Sequence, residues 1–118
     1  MTHAIRFHRT GGPEVLQWEA VDLPPPAAGE VRLRHHAVGL NFIDTYHRSG
    51  LYPLPLPSGI GLEAAGVVEA VGEGVDAFAP GDRVAYTSGP LGAYAEARNI
   101  EARHLVRLPE NISFEQGA

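Results

Sequence analysis

Between Gly39 and Pro53 the chain reads Gly-Leu-Asn-Phe-Ile-Asp-Thr-Tyr-His-Arg-Ser-Gly-Leu-Tyr-Pro, its densest gathering of side chains suited to chemistry. Asn41, Asp44, Thr45 and Tyr52 are its polar side chains of the kind that active sites use. The same residues also have mechanical roles. Asn41 is a good N-cap, Asp44 places a carboxylate in the first turn where the helix dipole favours it, and Gly50 after Ser49 is a natural stop. The spacing predicts a two-turn helix, too short to persist alone. Packing of Phe42, Ile43 and Tyr46 is therefore expected to hold it, leaving Asn41, Asp44, Thr45 and Tyr52 to face something else. Asn41, Tyr46 and Tyr52 are expected to line one cleft, with Asp44 orienting the helix start. A capped connector helix without chemistry would carry the same residues.

Other chemistries find less support. Cysteine is absent, which removes disulfides, thiolate catalysis and Cys-based zinc sites together. The six histidines, His3, His8, His35, His36, His47 and His104, are scattered, and no pair has helix-face spacing with a carboxylate partner. They read as surface or core-edge residues rather than metal ligands. Gly-x-Ser-x-Gly is absent, so no nucleophile elbow is legible. The glycines of Gly59 to Gly72 do not form a dinucleotide fingerprint, because the β-branched, strand-like residues follow them rather than precede them. Glycine inside such a strand marks a bulge, a bend or a close backbone approach.

The elements that must position the central stretch are mostly short strands. His3–Phe7 and Val15–Glu19, split by Gly11-Gly12-Pro13, read as a hairpin. Val31, Leu33, His35 and Ala37 alternate with Arg32, Arg34 and His36 in the period-2 pattern of a half-buried strand. Pro53, Pro55 and Pro57 fix an extended arm that could wall a cleft beside Tyr52. Gly66–Val71, Arg83–Tyr86, Tyr94–Glu101 and His104–Leu108 complete seven expected strands, with turns at Gly72-Glu73-Gly74, Ala79–Asp82 and Gly89–Gly92. The fold class is mainly β, a small barrel with short helices. At 118 residues and 44% hydrophobic content the chain is one domain's worth of globular material. A net charge of −5 makes a nucleic-acid partner unlikely on electrostatic grounds, and no apolar run reaches membrane-spanning length. No secretory signal is legible, so the cytoplasm is the expected compartment.

Gly12-Pro13-Glu14-Val15-Leu16, Asn41 to Tyr52, Gly61 to Gly72 and Gly81-Asp82-Arg83-Val84 occur together and in this order. On these motifs the whole chain resembles the N-terminal part of the NADPH-dependent quinone oxidoreductases, the zeta-crystallin-like, zinc-free branch of the medium-chain dehydrogenase/reductase superfamily. Asn-Phe-Ile-Asp-Thr-Tyr followed by Arg-Ser-Gly-Leu-Tyr-Pro carries the branch; Gly-Asp-Arg-Val and the Glu63 segment mark only the superfamily. The resemblance implies a GroES-like, partly open β-barrel over residues 1–118, the catalytic domain of a larger enzyme. It also implies hydride transfer from NADPH to a quinone or related conjugated carbonyl. Phe42, Ile43, Asp44, Thr45 and Tyr46 match the segment that contacts the nicotinamide half of NADPH, and Asn41 and Tyr52 match polar groups at the acceptor pocket. Where zinc-dependent relatives have a ligand cysteine and histidine, this chain has Asn41 and Leu62, so no zinc is expected.

The glycine-rich nucleotide-binding unit of the family lies outside these residues, so the domain alone is expected to bind NADPH weakly and not to turn over. A homodimer is expected of the full-length protein. Two other functions fit the same barrel: an NADPH-dependent enoyl or enone double-bond reductase, and a non-catalytic GroES-like binding or structural module. Ser113 and Gln116 form a capping-box pattern that announces a helix, of which about one turn follows and is expected to fray.

Overall fold

The computed structural model describes residues 2–118. Two antiparallel sheets make the domain. The smaller has the order β2-β1-β4, from β1 (Thr2–Phe7), β2 (Gln17–Val21) and β4 (Ser58–Gly59). The larger has the order β7-β3-β5-β6-β8, from β3 (Glu30–Val38), β5 (Glu63–Val71), β6 (Arg83–Thr87), β7 (Ala97–Glu101) and β8 (Val106–Arg107). A single bridge between Ala4 and Ala95 joins them, so the sheets curl toward a barrel without closing into one. The mainly β, partly open architecture expected from the sequence is the one observed.

The hairpin is present, with Thr2 opposite Val21 and Arg6 opposite Gln17. Its second strand starts later than expected because Pro13–Val15 form a 3-10 turn, which the fixed φ of Pro13 favours at the first position. The alternation in β3 places Val31 and Leu33 wholly in the core while Arg34 is exposed. Around them pack Ala64, Val68, Val84, Tyr86 and Ile100 from the neighbouring strands. A smaller second core gathers Phe7, Val15 and Ile60 under the three-stranded sheet.

Gly66 is a site of close backbone approach, as its place inside a β-branched strand suggested. A Cβ there would collide with the Arg34 carbonyl, and the β3–β5 register slips beside it, between His35 and Ala37. The eight strands exceed the expected seven by β4, a two-residue strand at the end of the proline arm that pairs with Arg6 and Phe7. Tyr94 to Glu96 contribute only the isolated bridge, and His104 belongs to a 3-10 turn (Ala102–His104) rather than to the last strand.

Helix α1 (Phe42–Ser49) is the expected two-turn helix, begun by Asn41 in extended conformation and ended by Gly50 at φ 89°. Helix α2 (Phe114–Gly117) follows its capping box, in which the Ser113 amide donates to Gln116 Oε1 at 3.0 Å and the Gln116 amide to Ser113 Oγ at 3.1 Å. Phe114 anchors that turn by stacking on His36, with ring centroids 4.3 Å apart, while the Arg83 guanidinium lies 4.5 Å from the ring centre on the other contact.

Candidate acceptor-side face

Two residues of α1 lie opposite to the sequence expectation, while Ile43 and Tyr46 are half-buried and Tyr52 is exposed. Phe42, expected to pack inward, is 75% exposed; Asp44, expected to face outward, is buried at 3% exposure. The reason is the set of donors available inside. Asp44 Oδ2 accepts the Asn41 backbone N–H at 3.0 Å and the hydroxyl of Tyr94. A buried carboxylate is tolerable only where such donors replace water. Asn41 faces the Asp44 amide in capping-box arrangement, and that amide donates to the Asn41 backbone carbonyl at 3.0 Å. A cap of this kind engages the carboxamide oxygen and not its NH2, so the carboxamide donors stay available to another partner.

Of the other residues singled out, Tyr46 and Tyr52 are brought together edge to face at 5.3 Å, and Phe42 meets Tyr46 the same way at 5.4 Å. Tyr52 is held beside the helix by its amide, which donates to the Tyr46 carbonyl at 3.3 Å. Ile43 is half-buried, and the Thr45 hydroxyl bonds back to the Phe42 carbonyl at 2.7 Å. The result is an aromatic row, open to solvent at Phe42 and Tyr52 and half-buried at Tyr46, rather than a cleft enclosed within the domain. A cleft of about 460 Å³ lies elsewhere, between the hairpin and β7. The proline arm is irregular from Pro53 to Pro57, with a cis bond before Pro57, and its exposed residues flank the row at Tyr52.

Tyr94 escaped the sequence reading, because only the fold shows that its hydroxyl reaches a residue fifty positions away. Burial first, then the bond to Asp44 and its charge, push the Tyr94 phenol above its ordinary range. His47, one turn beyond Asp44 on the buried face, has its Nδ1 without a partner, as does Asp44 Oδ1. Its ring lies 6.2 Å from that of Tyr52.

A second polar group sits in the larger sheet. His35 Nδ1 meets the Ala95 carbonyl at 2.8 Å, its Nε2 meets the Tyr86 hydroxyl at 3.0 Å, and Arg98 Nη1 donates to that hydroxyl at 3.3 Å. Burial lowers the His35 pKa to about 4, against the raising effect of the Ala95 carbonyl. A neutral ring then donates from Nδ1 and accepts at Nε2, which leaves no atom idle. The remaining histidines are placed singly: His3 stacks on Trp18 at 5.3 Å, His8 pairs with Glu19, and His104 packs under Gly89. Among the described residues no three His, Asp or Glu side chains converge as a metal-holding group. Among the same residues no helix is long and apolar enough to cross a membrane.

Residues 27–110 match the alcohol dehydrogenase GroES-like domain family. The chain is 56% identical to the quinone oxidoreductase of Pseudomonas aeruginosa, over all of this chain and 37% of that protein. It is 44% identical to the 2-haloacrylate reductase of a Burkholderia species, over 98% of this chain and 36% of that protein. The crystal structure of Escherichia coli quinone oxidoreductase complexed with NADPH superposes with a TM-score of 0.94 at 52% identity, over 98% of this chain and 36% of that one. The chain thus spans little more than a third of the length of the relatives it matches. By this match and by its two curled sheets around a capped two-turn helix, the chain belongs to the alcohol dehydrogenase GroES-like domain family, among homologues that are quinone oxidoreductases.

Proposed function

We propose that residues 1–118 are the acceptor-side domain of an NADPH-dependent quinone reductase that works without zinc, the nucleotide-binding part lying in a longer chain. The observation that carries this reading is the aromatic row of Phe42, Tyr46 and Tyr52, open to solvent at Phe42 and Tyr52 and beginning beside Asn41, whose carboxamide NH2 is not used by the helix cap. Flat aromatic surface left open to solvent suits a planar ring, and free donors at its edge suit a carbonyl oxygen. The NADPH complex of the E. coli relative supports the cofactor.

The nicotinamide half fits here as far as this domain reaches. Phe42, Ile43, Thr45 and Tyr46 would hold it, with Asp44 keeping their backbone in place from beneath. When bound, the cofactor supplies a hydride. The work of this domain is to seat the acceptor against the aromatic row, exclude water there, and offer the Asn41 amide and the Tyr52 hydroxyl to the oxygen that gains charge. One such donor contributes part of the barrier reduction, on the order of 3 kcal/mol in well-placed cases.

Zinc independence rests on the donor set: Asn41 and Leu62 stand where zinc-dependent relatives place ligands, and an amide oxygen and a leucine make a poor zinc shell. A cytoplasmic homodimer is the state proposed for the full-length protein on the same resemblance. The 44% identity to a 2-haloacrylate reductase supports a second reading, reduction of an activated carbon-carbon double bond.

The deciding experiment is a turnover panel on the full-length protein with NADPH, setting quinones against enones and 2-haloacrylates, beside elemental analysis after chelation. Higher kcat/KM for quinones and substoichiometric zinc are expected. Preference for the double-bond substrates selects the second reading. No oxidoreduction with any of them leaves the non-catalytic module, and zinc retained at the Asn41 to Glu63 region overturns the zinc-free assignment.

A further inference from the structure

Asp44 is in no ion pair among the described residues, although its carboxylate is almost wholly buried. Removing a charged carboxylate from water costs several kcal/mol unless donors replace the lost hydration. Here two donors share Oδ2, the Asn41 amide and the Tyr94 hydroxyl, and Oδ1 has none. The hydroxyl is therefore one of only two contacts that keep this carboxylate where it is.

Tyr94 is fixed independently of α1. Its amide donates to the Ile60 carbonyl at 3.0 Å and its carbonyl accepts from the Ile5 amide at 2.8 Å, which ties it to the three-stranded sheet. Gly61, at φ 100°, gives the ring its space: a Cβ there would stand 2.8 Å from Tyr94 Cε1. At its far end α1 is tied separately, the Gly11 amide donating to the Arg48 carbonyl at 3.0 Å and Arg48 Nε to the Gly11 carbonyl at 3.2 Å. A two-turn helix has little rigidity of its own, so its location is set by such ties.

We propose that Tyr94 is a positioning residue: acting through Asp44, its hydroxyl fixes where α1 begins and hence where Asn41 presents its carboxamide. The functional part of this inference rests on the quinone-reductase reading; the structural part stands without it. The high ionisation range of the phenol keeps it a donor throughout the working pH range.

The test pairs two measurements. In the full-length protein, Tyr94→Phe should lower kcat for quinone about tenfold with a much smaller loss of NADPH affinity, since a small displacement of a transition-state donor is costly. Asp44→Ala, which removes the acceptor, should lower kcat at least as far, and adding Tyr94→Phe to it should cost nothing more, because the hydroxyl then has no acceptor through which to act. In the 118-residue chain, ¹⁵N spectra of Tyr94→Phe should show shifted resonances and faster amide exchange from Asn41 to Tyr46, with Leu33 and Val68 unmoved. Absorbance titration of Asp44→Asn should show one tyrosine ionising at lower pH than before. A normally folded Tyr94→Phe with wild-type kcat and an unchanged Asn41 amide overturns the proposal. So does loss of the sheet resonances, which would make Tyr94 a core residue, or a fall in NADPH affinity in place of kcat. If the wild-type enzyme reduces no quinone, the functional reading fails, while the amide spectra still decide whether Tyr94 positions Asn41.

Discussion

The His35, Tyr86 and Arg98 network of the larger sheet has a partner for each of its buried polar atoms, although Asn99 Oδ1 in β7 has none, whereas at α1 both Asp44 Oδ1 and His47 Nδ1 lack one. The sheet surrounds its network with the larger apolar core, built on Val31, Leu33 and Val84; among the described residues α1 adds no side chain to either core, and it turns Phe42 to solvent. A fully satisfied buried network stiffens its surroundings, and a partly satisfied one leaves room for rearrangement. The contrast separates the part of the domain that carries its stability from the part available for recognition.

The most damaging way to probe the contrast is Leu33→Ala. This side chain is wholly buried at the centre of the sheet, so the variant should lose about 2–5 kcal/mol in denaturant unfolding. A loss under about 1 kcal/mol would mean that the sheet is not the stabilising half. Acid is the next probe. His35 has a folded pKa near 4 against 6.5 in its ordinary state, so the unfolded chain takes up the proton first. Stability from this group is complete above pH 6.5 and declines as pH falls toward 4, by about 3 kcal/mol in all. Replacing His35 with Gln should flatten the stability–pH curve between those values; an unchanged curve would break the assignment.

On the other side, Tyr52→Phe in the full-length protein should cut quinone kcat about tenfold with NADPH affinity and unfolding midpoint near wild type. Equal activity would reduce Tyr52 to packing. Phe42→Ala should produce the smallest change in stability, within about 0.5 kcal/mol, because the ring is mostly in water already. A large loss there would show that the exposed row is structural after all.

Much of the stable half was legible in the sequence. Alternation alone put Val31, Leu33 and His35 on one face, and glycine and proline clusters marked the turns between β5, β6 and β7. Two residues give no period, so Ser58–Gly59 could not be read as a strand; its partners Arg6 and Phe7 lie far off in sequence. The position of α1 was legible from its caps, but not its orientation. Hydropathy argued for Phe42 inside and Asp44 outside, and the donor that reverses them, Tyr94, is supplied by a remote turn. Local sequence thus identified the residues of the candidate site more readily than the contacts that hold them.

The pairing of β3 has a consequence for synthesis. Val31 pairs with Val71 on one side and with Ile100 on the other. A ribosome adding about 5–20 residues per second needs several seconds to go from Val31 to Ile100, roughly seventy residues. Throughout that interval the strand carrying Val31 and Leu33 has an open edge, the condition under which nascent β chains pair with one another. Arg32 and Arg34, which alternate with those apolar residues, give the opposite face of the waiting strand the charge that disfavours edge-to-edge pairing.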